Sequence, residues 1–240
     1  MLSLHNIRYD LPTKENLIDN ISLDIRPGKL TVITGPNGGG KTSLAKLIAG
    51  LYVPSSGSIL LDGEDITGLS ITERAKKGIA YAFQQPVSFK GLSVRQLMEI
   101  AAGEPMPELK MCKILERVGL CAREYMDRQM DSHLSGGEMK RIEIATVLSR
   151  NSRYAIFDEP EAGIDLWSFS SLISTFEDLK NNDERALLVI SHQERILEIA
   201  DYIAVVSNGT ISKYGTGEEV FPTLINGGIK GHCPKGKEVF

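Results

Sequence analysis

Apolar residues in the first third of the chain recur in short β-branched or alternating stretches, at residues 2–9, 21–25, 30–34 and 58–61, interrupted by Pro27-Gly28 and Pro54-Ser55-Ser56-Gly57. Such runs bounded by Pro and Gly predict strands. Between about residues 86 and 150 the spacing changes: 92–102, 109–118 and 138–148 place apolar residues three and four apart, which predicts helices. Strand character returns at 154–157 and 186–191, short continuous apolar runs of the kind a buried parallel strand carries. The helical segment 166–179 between them completes a βαβ unit. Residues 202–207 and 210–214 flank Asn208-Gly209, which tolerates the positive φ angles of a two-residue hairpin turn. From Phe221 onward the chain is Gly-rich and poorly patterned, and no internal repeat is present.

Composition adds limits. The 240 residues, 42% hydrophobic and 24% charged, suit one globular domain carrying a subdomain. A net charge of −4 gives no general attraction to DNA or an anionic membrane, so any polyanion must be bound locally. No apolar run approaches the roughly 18 residues a membrane span needs, and the amino terminus is polar and strand-like, so a cytosolic protein is expected. Cys112, Cys121 and Cys233 are odd in number and widely spaced, which predicts reduced thiols rather than a disulfide or zinc framework.

Local chemistry supplies the polyanion site. Gly35-Pro36-Asn37-Gly38-Gly39-Gly40-Lys41-Thr42 satisfies GxxxxGK[ST], follows the strand 30–34, and leads into a helix at Ser43. Glycines let such a loop curl until its N–H groups face phosphates, and the helix amino terminus adds partial positive charge. Lys41 is placed to neutralise the β and γ phosphates of ATP, and the Thr42 hydroxyl to ligate Mg²⁺. A metal-holding carboxylate is also required at a neighbouring strand end. Asp158, closing the run 154–157, fits that need, and Glu159 beside it fits a general base toward the attacking water.

Leu134-Ser135-Gly136-Gly137-Glu138 then matches the LSGGQ signature of ABC-type ATPases with Glu in the last place, and the resemblance spans nearly the whole chain. Ser135 with Glu138 also reads as a capping box, which leaves the glycines between them unexplained. The resemblance implies an α/β fold: a P-loop NTPase core with a mixed sheet, flanking helices and an amino-terminal antiparallel β region, plus a helical subdomain. Residues 1–85 and 151–240 would form the core and 86–150 the subdomain. It implies adenine stacking by Tyr9, a place near Mg²⁺ and water for Gln84, a D-loop role for Asp165, and a γ-phosphate contact for His192. Nucleotide contacts would come from Gly35 through Ser43 and from Ser135, Gly136, Gly137 and Glu138. In this family two chains sandwich two ATPs head to tail, so a homodimer or a pair with a similar subunit is implied.

Glu138-Met139-Lys140-Arg141-Ile142-Glu143-Ile144 is similar to the GEKKRxEI run of the SufC-like subfamily, as are the segments at 82–93 and 191–197 and Gly163 in the D-loop. Gln85, Glu161-Ala162 and a short stretch between Gln84 and Ser135 depart from it. This resemblance implies work on a SufB/SufD-like scaffold in iron–sulfur cluster assembly. The alternative is the nucleotide-binding subunit of a transporter, coupled through a groove near Gln84 to a transmembrane permease. A non-hydrolysing ATP-gated protein is disfavoured by the intact Glu159. The tail residues His232-Cys233-Pro234 and Lys235-Gly236-Lys237 are expected to be an ordinary solvated terminus.

Overall fold

A computed structural model describes residues 1–11, 14–131, 134–182 and 185–226. Its strands, in chain order, are β1 (Leu2–Leu11), β2 (Lys14–Ile25), β3 (Leu30–Thr34), β4 (Ser56–Leu61), β5 (Glu64–Asp65), β6 (Ile79–Ala82), β7 (Tyr154–Asp158), β8 (Ala186–Ile190), β9 (Tyr202–Ser207) and β10 (Thr210–Thr216). The helices are α1 (Lys41–Ala49), α2 (Ile71–Lys76), α3 (Val94–Ala102), α4 (Glu108–Arg117), α5 (Ala122–Tyr125), α6 (Gly136–Ser149), α7 (Leu166–Asn182), α8 (Glu194–Glu198) and α9 (Gly217–Asn226).

Every residue of β3, β7 and β8 is buried, which requires cover on both faces of their sheet. That sheet has the order β10-β9-β3-β8-β7-β6; its neighbours pair in parallel except for β10, which returns antiparallel from the Asn208-Gly209 turn. The second sheet, β2-β1-β4-β5, is antiparallel throughout. Side-chain alternation divides the interior. Val32, Phe157 and Val189 point into a core shared with α3, α4, α6 and α7. Ile33, Ile156 and Leu188 point into one shared with α1 and the antiparallel sheet. The stretch 86–150 therefore carries α3 to α6, as the helical spacing predicts, but packs into the same core as the central sheet. The expected mixed sheet and amino-terminal antiparallel region are both present.

Local differences have physical causes. Ser56 and Gly57, which read as a turn, belong to β4, where β1 and β4 shift register between His5 and Arg8. Neither α2 nor β6 was legible as a hydrophobic run, being short, although Ser70 and Glu73 form a complete capping box at α2. The end of the chain holds α9 as far as Asn226, while Cys233 and the rest of the tail lie outside the described residues. Cys112 and Cys121 are free thiols.

The P-loop helix is held from behind by a buried arginine. Arg74 has no exposed surface and donates from Nη1 to the carbonyls of Leu47 (2.7 Å) and Ile48 (2.9 Å), from Nη2 to Thr67 (2.7 Å), and from Nε to Leu69 (3.0 Å). Two of these carbonyls belong to the last turn of α1, where the backbone lacks partners and the helix dipole favours a cation. Replacing Arg74 with Met should remove its bonds to all four carbonyls, of which Leu47 keeps the Gly50 N–H, and cost about 3 kcal/mol by chemical denaturation; parental stability in that variant would remove Arg74 from this role.

Candidate functional site

β3 feeds the loop Gly35–Gly40, which runs into α1. Gly35 adopts a φ of +130°, and a Cβ there would lie 2.0 Å from the Val206 carbonyl oxygen of β9, so only glycine lets the loop lie against that strand. Lys41 is buried, and its Nζ donates to the carbonyls of Gly35 (2.8 Å) and Pro36 (3.0 Å), curling the loop around the ammonium. Burial lowers its pKa, with Glu159 and Asp158 opposing. No side chain caps α1 and no acid lies in its first turn, so its N–H groups and positive dipole end stay free for an anion. They open on a cavity of about 290 Å³ lined by Asn37, Gly38, Gly40, Lys41, Thr42 and Ser43 together with Leu17, Gln84 and Glu159.

Of the acid pair Asp158-Glu159, Glu159 lines this cavity, while Asp158 is joined to it through Thr42. Asp158 is fully buried; it accepts hydrogen bonds from Thr42 Oγ1 (3.1 Å) and from the Tyr81 hydroxyl (2.9 Å). Burial raises its pKa, and the two hydrogen bonds oppose that rise. Glu159 sits at a φ of +47°, a left-handed conformation a non-glycine residue adopts at a cost of about 1 kcal/mol or more. That backbone twist turns its side chain back toward the loop. Gln84 Nε2 donates to Glu159 Oε2 at 2.8 Å, so the two residues picked out for water activation touch each other.

Tyr9 and His192 do not line this cavity. The Tyr9 ring stacks on Tyr52 (5.1 Å between centroids, planes 12° apart) and does not line the P-loop cavity, where Leu17 is the apolar neighbour. His192 follows β8 as expected and, together with Gly35 and Pro36 of the phosphate loop, lines a second cavity of about 570 Å³. Partial desolvation and the Lys41 cation push the His192 pKa down, while Glu159 opposes them.

The Leu134–Glu138 segment lies apart from the P-loop cavity. Ser135 Oγ accepts from the Glu138 N–H (3.2 Å) and the Ser135 N–H donates to Glu138 Oε2 (2.7 Å), a closed capping box at the start of α6. The Tyr125 hydroxyl also donates to Glu138, and Arg128 lies 3.4 Å from it. The paired glycines have different causes. A Cβ on Gly137 would meet the Gly163 carbonyl oxygen at 2.5 Å, so packing against the D-loop accounts for it. A Cβ on Gly136 would meet nothing within 4 Å. Asp165 acts inside its own chain, accepting from the N–H groups of Trp167 (3.1 Å) and Ser168 (3.0 Å) at the start of α7. None of Ser135, Gly136, Gly137, Glu138 and Asp165 lines the P-loop cavity.

Thr42 and Asp158 bring a hydroxyl and a carboxylate to the phosphate loop, a donor set suited to Mg²⁺, which keeps waters and takes phosphate oxygens for its remaining positions. Among the described residues no cluster of three or more His, Cys, Asp or Glu side chains competes for a metal. Gln84, also predicted near the metal, uses its amide nitrogen on Glu159. Sequence reasoning missed Tyr81, Lys140 and Glu143. Tyr81 carries the Asp158 contact, while on α6 the fully buried Lys140 lies 3.3 Å from the partly buried Glu143.

A phosphate loop on a parallel strand, with a carboxylate bonded to Thr42 and a second acid in the same cavity, both from the next-but-one strand end, defines a P-loop ATPase. Residues 18–162 match the family described as ABC transporter. The chain is 37% identical over 212 residues to an uncharacterized ABC transporter ATP-binding protein of Methanocaldococcus jannaschii, covering 85% of this chain and 84% of that protein. It is 31% identical over 224 residues to the lipopolysaccharide export system ATP-binding protein LptB of Haemophilus influenzae, covering 92% of each. The fold superposes, at a TM-score of 0.81 and 22% identity, on a dimeric ATP-binding cassette in a post-hydrolysis state bound to ADP and Pi, covering 90% of this chain and 98% of that one. The chain belongs to the ABC transporter family and is an ATP-hydrolysing ATPase. Among the described residues no helix is long and apolar enough to cross a membrane.

The hydrogen bonds from Tyr125 and then Ser135 lower the Glu138 pKa from 4.5 to about 2. A value depressed by folding means that the Glu138 contribution to stability is complete above pH 4.5 and is lost as pH falls through about 2. The stability difference between the parent and Glu138→Gln, followed by denaturation, should hold steady near neutrality and shrink below pH 4.5. A difference unchanged down to pH 2 would contradict the assignment.

Proposed function

We propose that this chain is the nucleotide-binding subunit of an ABC membrane transporter, whose ATP-driven pairing with a second such subunit moves a transmembrane permease. The observation that carries this reading is an apolar groove of about 250 Å³ beside Gln84, lined by Tyr81, Phe83, Val87, Phe89, Leu97 and Ile100 among others. Val87, Phe89 and Ile100 are 45%, 43% and 64% exposed, so a helix from an apolar partner would bury them against the segment that carries Gln84. Kinship with the lipopolysaccharide export ATP-binding protein of Haemophilus influenzae supports the same role.

The SufC-like reading rests chiefly on the run 138–144, and inside this fold Lys140 and Glu143 are committed to each other and to backbone groups of their own chain. They thus offer no separate support for a SufB/SufD-like partner.

In the transporter reading, the α1 amino terminus and Lys41 bind the phosphates of ATP, and Leu17 gives the same cavity an apolar neighbour. Mg²⁺, held by Thr42 and Asp158, would neutralise charge building on the phosphates. Glu159 takes the proton of the attacking water, and Gln84 fixes the Glu159 carboxylate through its amide. Ser135 and Gly136 meet the γ-phosphate bound to a second chain, the open space at Gly136 leaving room for that approach.

Glu159→Gln is expected to lower kcat by a factor of 100 or more, the order lost with a general base, while ATP binding persists and light scattering records an ATP-dependent dimer. Captured from native membranes in that trapped state, the chain should bring down an integral membrane protein. Recovery of a soluble scaffold instead would transfer the protein to cluster assembly, and parental ATPase in Glu159→Gln would end the assigned base role.

A further inference from the structure

Lys140 has no exposed surface although it carries a charge, and an unmatched buried ammonium costs several kcal/mol. Its compensation is specific. Nζ lies 3.3 Å from Glu143 Oε2 and donates to the carbonyls of Phe83, Gln84 (3.4 Å) and Asp158 (3.4 Å). Glu143, one turn further along α6, accepts the Phe83 N–H through Oε1 at 2.7 Å. The residue before Gln84 is therefore gripped at its N–H by one member of an ion pair and at its carbonyl by the other.

The position explains why side chains do this. The parallel β6–β7 ladder ends at the Ala82–Phe157 pair, so Phe83 and Asp158 are the first residues beyond it. Among the described residues, the side-chain bonds that span the ends of these two strands besides the α6 pair are Tyr81 to Asp158 and Gln84 to Glu159, and neither holds the backbone of Phe83. The same helix opens with Ser135, so one rigid element joins the signature segment to the Gln84 loop. Phe83 and Glu143 also line the apolar groove, which sets the pair between that groove and the phosphate site.

We infer that Lys140 and Glu143 are positioning residues for ATP hydrolysis: their buried ion pair clamps the Phe83–Gln84 backbone to the end of β7 and thereby sets the contact between Gln84 and Glu159. The inference rests on the hydrolytic roles proposed above for Gln84 and Glu159. It goes beyond packing, because a buried ion pair replaced by apolar side chains of similar volume commonly leaves stability unchanged or improved. A pair that served only to fill space would then be dispensable for turnover.

The test is the Lys140→Met/Glu143→Leu double variant of the full chain, with thermal unfolding, ATP kinetics and hydrogen exchange of the Phe83 peptide measured together. The expected result is a folded protein whose kcat falls about tenfold while KM for ATP stays within about threefold, the split that marks loss of a contact used in the transition state rather than in binding. Exchange at the Phe83 amide should accelerate. If that variant does not fold, Lys140→Gln/Glu143→Gln keeps volume and hydrogen-bonding atoms without charge, and is read by the same split. A folded variant with parental kcat, or one changed in KM alone, overturns the proposal; so does failure of both variants to fold, which would assign the pair to holding the fold together. Glu159→Gln run alongside separates the two levels. If it retains the parental rate, the underlying reading of the site fails, whereas an inactive Glu159→Gln beside a fully active double variant sinks the positioning role alone.

Discussion

A carboxylate without exposed surface, Asp158, stands where the central strand β7 ends, and the arrangement of the catalytic half of the molecule follows from keeping it there. A buried carboxylate needs hydrogen-bond donors on every accessible side. Thr42 supplies one from the P-loop helix and Tyr81 another from the neighbouring strand, while the backbone carbonyl of the same residue receives Lys140 from α6. Three elements far apart in sequence thus converge on one residue. Their convergence sets the distance from the phosphate loop to the acid that follows, Glu159.

Two buried cations illustrate the same constraint with different outcomes. Arg74 finds its partners among carbonyls at the carboxyl end of α1 and anchors the helix whose other end faces the phosphates. Lys140 has both carbonyls and a carboxylate, and those carbonyls belong to the loops that carry Gln84 and Glu159. The first arrangement fixes an element. The second ties α6 to the segments that carry Gln84 and Glu159.

The signature segment teaches a related distinction. Its capping box satisfies backbone donors at the start of α6, and Gly137 is required by the close approach of Gly163, so most of the motif serves its own chain. What remains unclaimed is the open space at Gly136, on a surface separate from the P-loop cavity.

Much of this was legible in the sequence, because it depends on contacts between near neighbours. The run 30–34 is β3 residue for residue, the glycine-rich loop lies between that strand and α1, and Ser135 with Glu138 forms the capping box its spacing specifies. Strand and helix periods likewise report which face of a segment is buried. Tertiary structure alone decided the rest. Tyr81 reaches a carboxylate 77 positions away, and Lys140 a carbonyl 57 positions away, and no local pattern records either pairing. Tyr9 lies against Tyr52, and His192 lines a second cavity, for the same reason: the sequence states which groups are present, but which of them meet is settled only when the sheets pack. Short-range hydrogen bonding writes its requirements into adjacent residues, whereas burial of charge is satisfied by whatever partner the fold delivers.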